Sequence, residues 1–199
     1  MKNLICLLSL LCITASVNAN AISIDVAADN NTLNLGESVE IQVRISGLDG
    51  DSALGVYDLN LNYDANLFSF SNLIWGDKSK GNQLDLMGFG SLQDSSRGNG
   101  WLNLFELSFD DAPDLELSQA SEFTLFSAVF TSIALGSGHF FITTPTLGDA
   151  YGNDLLINSP SSAQVRIAGI SVPEPSSLLL LLGLLAVIAL RAKLVQSSK

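Results

Sequence analysis

An all-β fold of two packed antiparallel sheets is what the sequence predicts for residues 22–168, on three observations. Two runs alternate apolar and polar residues: Val39-Glu40-Ile41-Gln42-Val43-Arg44-Ile45 and Tyr57-Asp58-Leu59-Asn60-Leu61-Asn62-Tyr63. Successive side chains on a strand face opposite ways, so such runs are half-buried antiparallel strands. Clusters of Gly, Asn and Asp recur between the apolar runs, which is the punctuation of a sandwich or barrel of about eight to ten short strands. No segment between residues 22 and 170 sustains a 3.6-residue period.

The elements follow in order. Ile22, Ile24 and Val26 alternate with Ser23 and Asp25 until Asp29-Asn30-Asn31 turns the chain. The strand of Val39 to Ile45 ends in the Gly/Asp turn Gly47 to Asp51, and the strand of Tyr57 to Tyr63 precedes another at Leu67 to Trp75. Gly76 to Gly100 is rich in Gly, Ser, Asp and Asn and reads as loops with one or two short strands, its apolar pieces being Leu84 to Met87 and Phe89. Trp101 to Phe109 and Phe123 to Leu135 are strands, with at most one helical turn between them at Leu115 to Gln119. Gly136-Ser137-Gly138 reads as a turn into His139 to Thr143. Asp149 to Asp154 turns again before a short strand at Leu155 to Ile157, and Gln164 to Ile167 closes the domain. The core so drawn contains Val39, Ile41, Val43, Tyr57, Leu59, Leu61, Phe105 and Phe130.

Two targeting segments flank this domain. Lys2, the apolar Leu4 to Ile13 and small residues up to Ala21 form a secretory signal peptide, residues 1–19, cut after Ala19 or after Ala21. Both cysteines, Cys6 and Cys12, lie in it, so the mature chain is expected to have neither disulfide nor thiolate chemistry. At the other end, residues 169–177 form a linker carrying Pro173-Glu174-Pro175. Its prolines lack an N–H and hold the chain extended. An unbroken apolar run, Leu178 to Leu190, follows, and then Arg191 and Lys193. Counted from Ser176 to Val195 this is long enough for a helix of roughly 30 Å, the thickness of a bilayer's hydrocarbon core, provided the cations snorkel. A transmembrane helix over residues 178–195 is expected, and its basic end places the sandwich outside the inner membrane.

Pro-Glu-Pro, a short apolar span and a basic end, in that order from Val172 to about Lys193, resemble the PEP-CTERM sorting signal of Gram-negative bacteria. The resemblance implies that Pro173, Glu174 and Pro175 are a recognition triplet for exosortase, a membrane transpeptidase-like enzyme that cuts near it. The protein is then held in the inner membrane before processing and afterwards reaches the cell surface or an extracellular, biofilm-type matrix.

A second resemblance spans most of residues 22–168. Leu35-Gly36-Glu37-Ser38-Val39 leading to Ile45-Ser46-Gly47, then Leu54-Gly55-Val56-Tyr57-Asp58-Leu59-Asn60-Leu61-Asn62-Tyr63-Asp64, is similar to the start of a cohesin-like domain. Phe123 to Gly136 and the turn Asp149-Ala150-Tyr151-Gly152-Asn153 sit where that family has similar elements. This implies a nine-stranded jelly-roll sandwich. In cellulosomes such domains bind dockerin helices on one sheet face.

Composition excludes several functions. Between Asn20 and Val172, nineteen acidic residues face Arg44, Lys78, Lys80, Arg97 and Arg166, a surface that repels nucleic acid. His139 is the sole histidine, no Gly-x-Ser-x-Gly elbow accompanies it, and zinc ligands are missing. Carboxylate pairs such as Asp110-Asp111 arise by chance in so acidic a domain, and an enzyme is not expected. No cofactor is expected either. The one candidate ion is a structural Ca²⁺ in the Asx-rich loops Asp29-Asn30-Asn31, Asp49-Gly50-Asp51 and Asp149 to Asp154, none of which matches an EF-hand. Trp75 and Trp101 with Tyr57 and Tyr151 are candidates to stack on sugar rings.

Three readings stay open: a structural protein sorted to the surface or into extracellular polysaccharide, a carbohydrate-binding module, and a module that binds another surface protein. An exposed aromatic row flanked by polar groups speaks for the second, and a flat apolar sheet face without rings for the third.

Overall fold

The computed structural model describes residues 22–49, 52–169 and 183–185. The signal peptide with Ala19, Gly50 and Asp51 of the second Asx loop, Pro173-Glu174-Pro175, Arg191, Lys193 and all but residues 183–185 of the expected helix lie outside them. Gly183 to Leu185 are helical and exposed. Among the described residues no helix is long and apolar enough to cross a membrane.

Two sheets face each other. One has the order β1 (Ser23–Ala28), β3 (Ser38–Ser46), β8 (Glu122–Ser132), β5 (Phe68–Trp75). The other runs β2 (Thr32–Asn34), β10 (Ser162–Ala168), β9 (Gly136–Asp149), β4 (Leu54–Asn62), β7 (Trp101–Ser108), β6 (Ser91–Gly98). All neighbours are antiparallel except β2 and β10, which are parallel. The fold is the expected two-sheet sandwich.

Period two decides which face of each strand is buried. In β3, Val39, Ile41, Val43 and Ile45 are 0–1% exposed while Glu40, Gln42 and Arg44 face outward. In β4, Tyr57, Leu59 and Leu61 are fully buried. β8 breaks the rule with six consecutive buried residues from Phe123 to Ala128. Its register against β3 passes from Thr124, opposite Arg44, to Phe126, opposite Val43, so Leu125 is an extra, unpaired residue. This bulge lets Phe123 and Phe126 both point inward. Across the core, Phe130 lies 4.9 Å from Phe140 and 4.7 Å from Tyr63, and Phe68 lies 4.8 Å from Phe140. Tilted ring pairs of this kind add roughly 0.5–1.5 kcal/mol each beyond the area they bury.

Four expectations are corrected. Gly136-Ser137-Gly138 is not a turn but the start of the 14-residue β9, paired with Ile167, Arg166 and Val165. Small residues are needed there because a Cβ on Gly138 would come 2.7 Å from Phe68, and one on Gly136 2.9 Å from Leu67. The stretch Leu155 to Ile157 is not a strand: Ile157 makes one isolated bridge, to Ile22, and Leu155 N donates to Leu147 O. The helix α1 (Ala112–Ser118) has seven residues, longer than one turn, with Pro113 in its first turn. Phe105, assigned to the core, lies on the outer face of β7, and Glu106 takes the buried side.

The sandwich closes along one side and opens along the other. On the β1–β10 side, Ser161 N–H donates to Ile24 O at 3.0 Å and Ser161 Oγ accepts from Val26 N at 2.9 Å, stitching the sheets together. On the β5–β6 side a cleft of about 280 Å³ remains, lined by Phe70, Leu73, Leu102 and Leu104, with the Arg97 guanidinium 5.5 Å from the Phe70 ring centroid.

The loop after β5 is fastened to the outer face of the four-stranded sheet. Lys78 Nζ pairs with Glu40, and Asp77 accepts hydrogen bonds from Thr124 N, Ser79 N, Ser79 Oγ and Lys80 N. Desolvation pulls the Asp77 carboxyl upward, but these four donors together outweigh it and hold the group far below the usual carboxylate range. A depressed folded-state value means the stabilisation is complete above the unfolded value of ~3.9 and fades as pH falls below it. Asp77→Asn is therefore expected to lower the melting temperature by a few degrees at neutral pH. The gap to wild type should narrow as the pH is taken below about 4, read by thermal melts across that range.

Candidate binding face

The outer faces of the two sheets differ in chemistry. On the four-stranded sheet the outward rows of β3 and β8 pair Ser38 with Thr131, Glu40 with Val129, Gln42 with Ser127 and Arg44 with Thr124, with no aromatic ring among them and with Ser127 and Thr124 buried. On the six-stranded sheet the outward residues fall into rows that cross the strands. One row is Gly98, Trp101, Asn62, Phe141, Ser162, on β6, β7, β4, β9 and β10. The next is Ser96, Asn103, Asn60, Thr143, and then Asp94, Phe105, Asp58, Thr146. The last is Leu92, Leu107, Val56, Gly148.

Large apolar groups are left in solvent on this face. Trp101 is 38% and Phe141 42% exposed, and at the far end Leu92 and Leu107 are 50% and 37% exposed. Trp101 reaches this position because its neighbour across the hairpin is glycine. A Cβ at Gly98 would meet Nε1 at 2.4 Å and Cε2 at 2.5 Å, so the indole occupies the room of the missing side chain and lies across the sheet surface. Between and beside the rings, amides are pinned. Asn62 Nδ2 donates to Thr143 Oγ1 at 2.8 Å, Asn60 Nδ2 to Thr144 Oγ1 at 2.7 Å, and Asn103 Nδ2 to Asp58 Oδ1 at 2.6 Å. Thr144 takes a φ of 48°, unusual outside glycine, where the β4–β9 register shifts.

Beneath this face Glu106 anchors its edge from inside. The side chain is fully buried. Oε1 accepts from Asn82 Nδ2 (2.6 Å), Ser91 Oγ (2.6 Å) and Gln93 Nε2 (2.9 Å), and Oε2 accepts from Tyr57 Oη (3.0 Å). Burial lifts the Tyr57 phenol well above its usual range, and the adjacent Glu106 charge lifts it further, so Tyr57 stays a proton donor. The four donors come from β4, from β6 and from the segment between β5 and β6, which a single carboxylate thereby ties together.

The aromatic residues named from sequence do not gather. Tyr57 is interior, Trp75 is half-buried at the end of β5, and Tyr151 is exposed in the turn after β9. Only Trp101 joins the face. Phe141, Asn62 and Gly98 were missed, since Phe140-Phe141 gives no sign of which ring faces out. His139 is exposed with Gln164 beside it at 3.4 Å, and no group of three His, Cys, Asp or Glu converges among the described residues. In the Asx-rich loops, Asp29 Oδ1 accepts from Glu40 N, Asn30 Oδ1 from Thr32 N, and Asp149 Oδ1 from Tyr151 N and Asn153 N. Asn30 and Asp149 thus serve the backbone of their own turns, and Asp29 ties its turn to β3.

Compared with known proteins, the chain matches the PEP-CTERM protein-sorting motif over residues 171–193. That span includes Pro173, Glu174, Pro175, Arg191 and Lys193. No curated protein matches the chain. Among solved structures it is similar to cohesin modules. The second type II cohesin module from the adaptor ScaA scaffoldin of Acetivibrio cellulolyticus is 18% identical with a TM-score of 0.62, covering 78% of this chain and 96% of that one. A non-cellulosomal cohesin from the archaeon Archaeoglobus fulgidus is 16% identical with a TM-score of 0.54, covering 74% and 91%. The sixth cohesin from the scaffoldin B of Acetivibrio cellulolyticus, solved in complex with a Cel5 dockerin, is 17% identical with a TM-score of 0.58, covering 74% and 99%. The chain thus carries a PEP-CTERM sorting motif behind a sandwich with the cohesin fold.

Proposed function

We propose that this is a non-catalytic, exported protein, processed by an exosortase-type enzyme and delivered to the cell surface or extracellular matrix, where its sandwich acts as a binding module. The observation that carries the reading is the pairing of a sorting motif at residues 171–193 with a sandwich whose six-stranded sheet leaves Trp101, Phe141, Leu92 and Leu107 in solvent. Folding buries such residues unless something else covers them, and an exposed row of this kind marks an interaction site. Cohesin modules solved with dockerins show that this fold can serve as a binding module. In this chain the outer face of the six-stranded sheet takes that role.

Pro173-Glu174-Pro175 is the recognition triplet in this reading. Prolines on both sides of Glu174, with fixed φ and no N–H to give a helix, favour its presentation to an enzyme at the membrane surface, ahead of the apolar run. A span that apolar with cations behind it does not leave a bilayer unaided, so release requires covalent cleavage. In a host that has exosortase, the released wild-type protein is expected to begin after Ala19 or Ala21 and to end near residues 173–176 by intact mass. Glu174→Ala is expected to leave uncut protein in the membrane fraction. Released wild-type protein that still ends in Lys199 would overturn the sorting reading.

A further inference from the structure

We propose that the row Trp101–Asn62–Phe141 is a platform for a neutral, extended β-linked polysaccharide. This rests on the sandwich being an exported binding module and names its ligand.

Four observations support it. The first is how Trp101 is held: the indole lies over Gly98, where any Cβ would displace it, and it remains 38% exposed. A large ring braced along a sheet surface offers a stacking area at low ordering cost. Spacing is the second. Trp101 and Phe141 are both register partners of Asn62, so they sit on strands two apart. Two strand separations of ~4.8 Å set their backbones ~10 Å apart, and the indole leans a further strand outward over Gly98, so the rings stand roughly 10–15 Å apart, the advance of two to three sugar units in an extended β-linked glycan. The polymer then runs across the strands, with a ring under every second or third sugar.

Third, the groups between and beside the rings suit hydroxyls. Asn62, between them, spends both Nδ2 hydrogens on Thr143 Oγ1 (2.8 Å) and Asn60 O (3.2 Å) and leaves Oδ1 to accept, while Asn60 and Asn103 in the next row, fixed by bonds of 2.7 and 2.6 Å, each keep an N–H and an Oδ1 for a sugar. Fourth, charge selects the kind of glycan. The charged groups in these rows are Asp58 and Asp94, so a uronate-rich or sulfated polymer meets repulsion and a neutral one does not. The row is also well placed for a chain fastened at its C-terminal side. β10 enters it at Ser162 and ends six residues on at Ala168, which puts the exit of the chain ~20 Å away along the strand.

The test uses the full chain purified in detergent, with hydroxyethylcellulose and galactomannan as neutral probes and alginate as the anionic one. Affinity electrophoresis and tryptophan fluorescence report binding, and thermal melts confirm that each variant folds. Wild type is expected to bind at least one neutral glycan, with little change in 0.5 M salt (about a 4 Å screening length). Trp101→Ala and Phe141→Ala are expected to weaken binding about tenfold or more. Gly98→Val, which dislodges the indole without removing it, is expected to weaken binding as well, while Leu117→Ser on the exposed side of α1, away from this face, is expected to leave it unchanged. The proposal is overturned if neither neutral glycan binds, or if binding survives both ring deletions. It also fails if alginate binds instead and salt removes it, or if Leu117→Ser is the variant that abolishes binding. A dimer in sedimentation that Trp101→Ala dissolves would show a second copy of the chain on the face, and would overturn it too. Processing is read separately from the mass of the released protein, so an uncut chain that binds glycan counts against the sorting reading alone.

Discussion

Ile41→Asp is expected to abolish folding of the sandwich, while Ser38→Asp, three residues earlier on the same strand, is expected to cost under about 1 kcal/mol. Ile41 is 0% exposed and stands between Ala28 on β1 and Ala128 on β8 in the middle of the four-stranded sheet. A carboxylate there has apolar neighbours on every side and loses its hydration without a partner. The penalty is several kcal/mol, a large part of the roughly 5–15 kcal/mol that holds a domain of this size together. Ser38 is exposed, with its hydroxyl 3.2 Å from Thr131 Oγ1 on the outer surface, so an added charge there stays in water. Urea midpoints and far-UV circular dichroism read both variants. Equal behaviour of the two would mean that the inward and outward faces of β3 have been exchanged.

Glu106→Ala is expected to destabilise the protein by roughly 3–5 kcal/mol, and Glu106→Gln by about 1–3 kcal/mol. Truncation strands four donors at once, those of Tyr57, Asn82, Ser91 and Gln93, and leaves a void in a fully buried site. Glutamine keeps the shape but turns one acceptor into a donor that faces donors. Tyr57→Phe removes a single bond to Oε2 and should cost only about 1 kcal/mol. Hydrogen exchange should show the loss first in residues 82–93, because Glu106 is what holds Asn82, Ser91 and Gln93 to the inside of the sandwich. If Glu106→Ala cost less than Tyr57→Phe, the carboxylate would not be the hub described here.

Glu106 also shows where the sequence stopped being readable. β3 and β4 could be read because one parity is apolar and the other polar, so only one orientation buries the right side chains. In Trp101-Leu102-Asn103-Leu104-Phe105-Glu106-Leu107 both parities carry large apolar groups. The usual rule puts Phe105 inside and Glu106 out. The reverse holds because Tyr57 and the 82–93 segment supply four donors from elsewhere in the chain, and because the outer face of this sheet is itself apolar. The exposed face thus obscured its own strand. Gly136 and Gly138 misled for a related reason: their sequence says turn, while their cause is the close approach of Leu67 and Phe68, where the chain enters β5. β2 and β6 carried no signal, the first being three residues long and the second lacking an apolar face. The tail could be read because a sorting motif is linear and needs no tertiary partner to be recognised.

β6 carries a further consequence. It is the last strand of its sheet, so one row of its N–H and C=O groups has no neighbouring strand. Such an edge is a template on which another polypeptide can add a strand, and from there an aggregate can grow. Here the edge reads Ser91-Leu92-Gln93-Asp94-Ser95-Ser96-Arg97-Gly98, with one large apolar residue, both signs of charge, and serine and glycine, which pair poorly. A passing extended segment finds few side chains to pack against and charges it would have to desolvate. The polarity that made β6 invisible as a strand is what lets the molecule show solvent an aromatic face beside an open edge without that edge recruiting a second chain.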